Sequence, residues 1–469
     1  MTVAYVVGSG PNGLAAAIEL ARAGLEVTVL ESHWRVGGAV GSAELTHDGL
    51  VHDLGASFVP LAVRSPFFRS LDLDALGVRF RHAPIELAHP LDDGSAGVLH
   101  RDVSTTAEGF GTDGALWRNV FGPFANRFDD LLDDVMHPLL RVPRHPALMA
   151  RFGMLAAQSA THFGRSFRTD QARALWSGVA AHAFTDLEAR ASSAIGLMLV
   201  SAAHAGGWPV VEGGAQVLTD ALVRKVVQLG GRIETGRTVT DVRELSDADV
   251  VLLDVAPSAA IGILHDAIPS KRRRAFDRYR HGPAAYKVDF AVDGEIPWRS
   301  EECGRAGVVH LGGTAEDVAE AEKSVVGGRS ARKPFTLVGQ QYLADPGRSR
   351  GSLNPVWAYA HVPYGTVMEH EHRIVKQIER FAPGFRERIV STHVTSAMGL
   401  AAANSNFVGG DINTGANTFA QLIGRPTVGA DPYATGVKGV YLCSAATPPG
   451  PGVHGMSGAN AAAAAIRHL

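Results

Sequence analysis

Val3-Ala4-Tyr5-Val6-Val7-Gly8-Ser9-Gly10-Pro11-Asn12-Gly13-Leu14-Ala15-Ala16-Ala17-Ile18-Glu19-Leu20-Ala21, continued by Val27-Thr28-Val29-Leu30-Glu31, is the stretch that decides the fold. An apolar run leads into a Gly-x-Gly-x-x-Gly turn, and the turn opens a helix that stops at Gly24. A second apolar run then carries Glu31, eighteen residues past Gly13. This is a strand–turn–helix–strand unit with an acid at the tip of its second strand, the arrangement that binds an adenine dinucleotide. Gly8, Gly10 and Gly13 let backbone approach a pyrophosphate. Pro11 and Asn12 start a helix whose free N–H groups and positive dipole end favour an anion, and Glu31, with Ser32 beside it, is placed to accept from ribose hydroxyls.

The next segment chooses among dinucleotides. Arg35-Val36-Gly37-Gly38-Ala39-Val40 brings a cation and more backbone N–H groups towards the same pyrophosphate. A nicotinamide site does not require this second clamp, whereas a large buried flavin dinucleotide benefits from one. The C-terminus agrees: the apolar run Gly439-Val440-Tyr441-Leu442-Cys443 enters the small-residue loop 444–455, and an alanine-rich helix follows over about 457–467. Ser444, Ala445, Gly452, Val453 and His454 lie in that loop, where backbone can rest against a flat polarised ligand. FAD fits better than NAD.

These motifs, with Trp208-Pro209-Val210-Val211-Glu212-Gly213-Gly214-Ala215 and Asn406-Phe407-Val408-Gly409-Gly410-Asp411-Ile412-Asn413, resemble the phytoene desaturase-like FAD-dependent oxidoreductases along essentially the whole chain. Within that family the chain is most similar to the soluble pyridine-nucleotide-disulfide-oxidoreductase-domain-2-like branch. The resemblance implies an α/β fold: a Rossmann-like FAD-binding domain of glutathione-reductase/amine-oxidase type, with a discontinuous α+β substrate domain. It also implies that Val239 holds the adenine through its backbone. One departure is Ser444-Ala445, where many relatives carry Gly-Ala or Gly-Asp.

Composition fits a large buried enzyme. The chain has 469 residues, 46% hydrophobic and 19% charged, with net charge −3, which gives no reason to expect nucleic acid. Only Cys303 and Cys443 are present, far apart and without a C-x-x-C, which argues against a dithiol–disulfide reductase and for a reduced, cytoplasmic protein. No basic and apolar leader is expected ahead of the first strand. Residues 116–167 place Phe121, Phe124, Phe128, Leu131, Leu132 and Val135 at helical spacing. They read as a helical cap over the substrate cavity; the alternative is a surface in peripheral contact with a membrane.

The expected layout is discontinuous. Residues 1–70, 206–265 and 401–469 form the FAD-binding domain; residues 71–205, mainly helical, and 266–400, an antiparallel sheet, form the substrate domain. In the second cofactor piece the spacing predicts a helix over 219–229 and a strand pair, 232–235 with 238–242. Asp249-Val250-Val251-Leu252-Leu253-Asp254 reads as a buried parallel strand.

Flavin chemistry needs geometry more than side-chain reactivity. The backbone N–H groups of Gly452, Val453 and His454, at a helix start, suit charge developing at the flavin N1–C2 edge. His454 is the candidate catalytic side chain; its alternative is shaping the loop. Tyr359 and His361 lie on a strand facing the cavity and read as wall, as does Trp208. Asn406, Asp411 and Asn413 read as loop caps, and Lys271-Arg272-Arg273-Arg274 as a solvated helix face. No metal is expected, since His370 and His372 are spaced to point apart on a helix.

Three functional readings follow. The first is a dehydrogenase, desaturase or saturase moving hydride between flavin N5 and an apolar small molecule, with dioxygen, a quinone or a carrier protein as electron acceptor. The second is an amine-oxidase-like flavoenzyme, which typically needs an aromatic pair and a lysine at the flavin, neither assignable from the sequence. The third is a non-catalytic FAD-binding partner protein.

Overall fold

The computed structural model describes residues 2–429 and 431–469. Five all-parallel strands form one sheet, in the order Val440–Leu442, Val250–Leu253, Val3–Val7, Glu26–Glu31, Arg232–Thr235. Parallel strands with both faces covered need apolar residues throughout, which is why Val250–Leu253 is buried at every position. The arrangement brings Gly8, Glu31, Asp254 and Ser444 to one edge, because each directly or closely follows the carboxyl end of a parallel strand. The helix Pro11–Arg22 and the alanine-rich helix Met456–Arg467 pack on this sheet in close contact. A Cβ on Gly458 would stand 1.8 Å from the Asn12 carbonyl oxygen, so small residues there are a packing requirement.

Seven strands form the second sheet, in the order Ile389–Thr395, Ala284–Asp293, Leu353–Val362, Thr336–Gly339, Ala306–Leu311, Ile85–Pro90, Ala96–Leu99. All neighbours are antiparallel except Ala306–Leu311 with Ile85–Pro90. Period-two alternation sorts the side chains. Tyr286, Val288 and Phe290, with Val356, Ala358 and Ala360, pack in a core shared with Ile374, Val375 and Ile378 of the helix Glu371–Phe381. The opposite face presents Lys287, Trp357 and Tyr359 to a cavity beneath the sheet.

Three expectations change. Residues 71–205 are not mainly helical from their start, since Ile85–Pro90 and Ala96–Leu99 are strands at the edge of the second sheet. Glu86, His89 and Pro90 interrupt the apolar run that would have marked them. Thr238–Val242 forms no strand pair with Arg232–Thr235: Asp241 and Glu244 close a capping box around the turn Val242–Leu245 and bend the chain away. The helix expected over 219–229 begins earlier, at Gln216.

Six helices between Gly114 and Gly206 cover the second sheet and the cavity. Phe121, Phe124, Phe128, Leu131 and Leu132 turn inward and are buried. Trp117 lies 4.4 Å from Phe121 and Phe163 lies 4.6 Å from Trp176, ring centre to ring centre, so the apolar stripe of this cap faces protein. No helix among the described residues is long and apolar enough to cross a membrane.

Candidate active site

A cavity of about 880 Å³ runs from the carboxyl edge of the parallel sheet to the underside of the antiparallel one. That is near the upper end of ligand-pocket volumes, as a dinucleotide plus a second small molecule requires. It is lined by Gly8, Gly10, Pro11, Asn12, Glu31 and Ser32 from the first unit and by Arg35, Gly38, Ala39 and Val40 from the second glycine segment. Val239, Ser444, Ala445, Gly452 and Val453 complete that end. Three sequence-separated regions therefore converge on one volume.

The glycines are held by contact. Gly8 has φ +102°, and a Cβ on it would stand 2.8 Å from the Asp254 carbonyl oxygen. A Cβ on Gly38 would lie 3.2 Å from Gly10 Cα, which lays the second glycine segment against the first. The N-cap residue of the helix starting at Pro11 supplies no side-chain cap; its Gly13 N–H is taken by Asp254, and the Asn12 Oδ1 at the same turn is buried without a protein partner. Glu31 Oε2 accepts from Ser9 N–H (2.9 Å) and Ser9 Oγ–H (2.6 Å), and Oε1 accepts from His33 N–H (2.8 Å). The remaining bond, from Ser32 Oγ–H at 3.3 Å, is the long one and the one a ribose hydroxyl can replace. Val239 reaches the cavity because Arg237 N–H donates to the Glu31 carbonyl, holding the segment that follows alongside.

Three expected residues stand behind the lining. Gly13 is packed against Gly8, where a Cβ would come to 2.1 Å from the Gly8 carbonyl oxygen, and its N–H donates to Asp254 Oδ2 (2.9 Å). Gly37 supports the wall by donating its N–H to the Ser9 carbonyl (3.1 Å). His454 is buried with both ring nitrogens committed: Nδ1 accepts from Met456 N–H (3.0 Å) and Nε2 donates to the Gly450 carbonyl (3.2 Å). Burial holds its pKa at about 4, against the raising effect of the Gly450 carbonyl, so the ring is neutral and shapes the loop. Its place in the fold matches the loop-shaping alternative and leaves no nitrogen for substrate.

The sequence reading missed Asp254. It lines the cavity, its carboxylate anchors the first glycine turn through Gly13, and burial raises it to about 7; the Gly13 N–H pulls it down and Glu31 pushes it up. The visible signal was a carboxylate directly after the four-residue apolar run of a parallel strand. Asn406 fixes this corner, its Nδ2 donating to the Asp254 carbonyl (3.0 Å) and its Oδ1 accepting from Ala256 N–H (2.7 Å).

At the other end Ile195, Met198, Leu199, Val308, Leu337 and Phe407 make an apolar chamber. Lys287 reaches it from the second sheet, donating to the Asp53 carbonyl (2.9 Å) and pairing with Asp289. Burial pushes the Asp289 carboxyl up, but Lys287 and His52, whose Nδ1 is 3.4 Å away, together hold it below the ordinary range. Trp357 and Tyr359 stack beside Lys287, with ring centres 5.7 Å apart and planes inclined by 19°. The bare Gly339 makes room, since a Cβ there would meet the Trp357 ring at 2.0 Å. A lysine and a stacked aromatic pair thus come from alternate positions of two paired strands.

Trp208 and Asn413 also line the chamber. His361 does not: it is buried behind Tyr359, its Nδ1 2.8 Å from Glu322 Oε1 and its ring stacked on Phe184. Asp411 accepts from the backbone N–H groups of Gly282 and Asn413, as a loop cap. Lys271 and Arg274 of the helix Ser270–Asp277 are exposed, and Cys303 and Cys443 are free and buried.

A parallel sheet with two glycine clamps, continuous with an apolar chamber under an antiparallel sheet, defines the fold of FAD-dependent oxidoreductases. Residues 6–71 match the family model described as an NAD(P)-binding Rossmann-like domain. Over 99% of its length the chain is similar, at 24% identity, to "Pyridine nucleotide-disulfide oxidoreductase domain-containing protein 2" of Mus musculus, covering 93% of that protein. A shorter similarity, 32% identity over 22% of this chain and 18% of the relative, is to a limonene dehydrogenase polypeptide of Castellaniella defragrans. Among solved structures, a putrescine oxidase variant is similar in fold with TM-score 0.61 at 18% identity, covering 100% of this chain and 99% of that one.

Proposed function

We propose that the protein binds FAD and transfers hydride between flavin N5 and an apolar small-molecule substrate, as a dehydrogenase, desaturase or saturase. The observation that carries this is the single continuous cavity, whose one end is a backbone-rich dinucleotide cradle and whose other end is apolar. When bound, FAD supplies two-electron chemistry that no side chain can. The chain holds the pyrophosphate with the backbone of Gly8–Asn12 and with Arg35, and the ribose with Glu31. It holds the substrate with Ile195, Met198, Leu199 and Val308, which also keep water out. The similarity to a limonene dehydrogenase polypeptide supports an apolar substrate. The acceptor that reoxidises the flavin is dioxygen, a quinone or a carrier protein, and we place the enzyme in the cytoplasm, with peripheral membrane contact as an open arm of that reading.

An amine-oxidase-like activity is the second reading, favoured by Lys287 beside the stacked Trp357 and Tyr359 and by the likeness to putrescine oxidase. One experiment separates the readings. FAD-loaded protein is mixed anaerobically with limonene, cyclohexylamine and putrescine, and the flavin absorbance is followed. Bleaching by limonene supports the first reading. Bleaching by amines alone, with hydrogen peroxide released in air, supports the second. Bound FAD that no compound bleaches, together with a partner recovered in pull-downs, supports a non-catalytic role.

A further inference from the structure

Oxidising a C–H bond by hydride removal leaves one proton to be taken from the adjoining atom of the substrate. At the chamber end the titratable side chains that line the cavity among the described residues are Lys287, Tyr359 and His182. The Lys287 ammonium is committed to Asp289 and the Asp53 carbonyl. Burial pushes the Tyr359 hydroxyl well up, with Glu322 adding to it, so that group is a weak acid and no base. His182 sits on the turn Ala181–Ala183, its ring 5.6 Å from Trp208 between centres.

His182 is the outer member of a file of three imidazoles. Its Nε2 is 3.1 Å from His310 Nε2, and His89 follows, with its ring 6.4 Å from that of His310. His89 Nε2 is 2.9 Å from the Gly313 carbonyl oxygen. The Nδ1 atoms of His310 and His89 are both buried without a partner, and both face helix residue Gly178, lying 2.9 and 2.5 Å from where its Cβ would stand.

A carbonyl can only accept, and this sets the direction of every proton in the file. His89 must donate from Nε2, which leaves its Nδ1 bare. Neither Nδ1 has a hydrogen-bond partner, but the polarity facing Gly178 is complementary only with the proton of His310 on Nδ1. His310 Nε2 is therefore bare and accepts from His182 Nε2–H. His182 Nδ1 is left as a lone pair, with no protein partner, at the cavity. The reverse assignment would leave two unpartnered lone pairs turned towards Gly178. Burial and the nearby His361 lower His182 to about 3, so the ring is neutral at rest and a weak base until loss of hydride makes the substrate proton acidic.

We propose that His182 Nδ1 is the base that takes the substrate proton, and that His310 is the positioning residue that fixes its tautomer. This rests on the oxidoreductase reading above. The substrate loses a hydride with its electron pair from one carbon, to the flavin. It loses a proton from the adjoining carbon, nitrogen or oxygen, to His182 Nδ1, and a double bond forms between the two atoms. Two electrons leave the substrate and two enter the flavin, while the imidazole becomes imidazolium.

The test has two arms on FAD-loaded protein. In ¹⁵N-histidine NMR, with His182→Phe identifying the signal, His182 should carry its proton on Nε2 and none on Nδ1. His310→Phe should convert this to a mixture of tautomers. A proton on Nδ1 in the unsubstituted protein overturns the proposal. In the second arm, whichever of limonene, cyclohexylamine and putrescine bleaches the flavin should do so on the order of 10²-fold more slowly in His182→Phe, with partial rescue by free imidazole. His182→Gln, which keeps a hydrogen-bonding side chain but no base, should show the same loss. An unchanged rate in a variant that retains FAD overturns the proposal. If no compound bleaches the unsubstituted protein, the NMR arm alone judges the histidine file.

Discussion

The two ends of the cavity are built from different materials. The nucleotide end is made of backbone: Gly8, Gly10, Gly38 and Gly452 bring main chain to the cavity wall, and few side chains are asked for more than smallness. The chamber end is made of side chains, with Lys287, Trp357, Tyr359 and His182 arriving from separate strands and a turn. The first end tolerates almost no added volume. The second depends on pairing and on which polar groups stay satisfied. A site of this kind keeps its cofactor grip in local sequence and its chemistry in long-range packing.

The sharpest way to break this contrast is to add volume at the nucleotide end. Gly13→Val is expected to give folded protein that retains no FAD, because its side chain meets the Gly8 carbonyl from 2.1 Å away. Flavin absorbance after gel filtration reads the outcome, and yellow protein would show that the turn can yield. At the chamber end the largest effect should come from charge. Lys287→Met leaves the buried Asp289 carboxylate without its main counter-charge and should cost about 3–5 kcal/mol in denaturant unfolding. Recovery of part of that loss in the Lys287→Met, Asp289→Leu double variant would identify the unpaired charge as its cause.

A smaller, pH-dependent effect sharpens the boundary between the two ends. Asp254 is raised from 3.8 to about 7 in the folded protein, so the folded state binds its proton more tightly than the unfolded state. Its stabilising contribution is complete below about pH 4, declines as pH rises towards 7, and is gone above. The Tm of the unliganded protein should therefore fall across that window by a few degrees more than the Tm of Asp254→Asn, measured by calorimetry. Parallel curves would show that Asp254 does not set this pH dependence. The smallest effect is expected for His454→Asn. With both of its nitrogens bound within the loop, its loss should lower stability by about 1 kcal/mol and change the bleaching rate less than tenfold.

Legibility in the sequence followed the same divide. Glycine spacing, apolar runs and the acid at Glu31 are local signals, so the first sheet's central strands, the helix Pro11–Arg22 and fifteen lining residues of the nucleotide end could be read from them. Gly13 and Gly37 stand one layer behind the lining, because a motif reports where glycine is needed without saying whether ligand or neighbouring backbone demands it. His454 looked reactive because it is a histidine among glycines, while its hydrogen bonds within the loop could only be seen in three dimensions. The chamber left no local trace. Lys287 and Tyr359 are 72 residues apart, and strand pairing sets them opposite each other, Cα to Cα. Ile85–Pro90 was hidden for a related reason: Glu86 and His89, buried and hydrogen-bonded far away in sequence, disguise a strand as a polar segment.

Titration of apoprotein with FAD, followed by flavin absorbance and by Tm, tests the central claim most directly. Binding at one FAD per chain is expected, with a raised Tm and loss of both signals in Gly13→Val. An apoprotein that folds but takes up no flavin, or whose Tm rises equally with NAD, would contradict it.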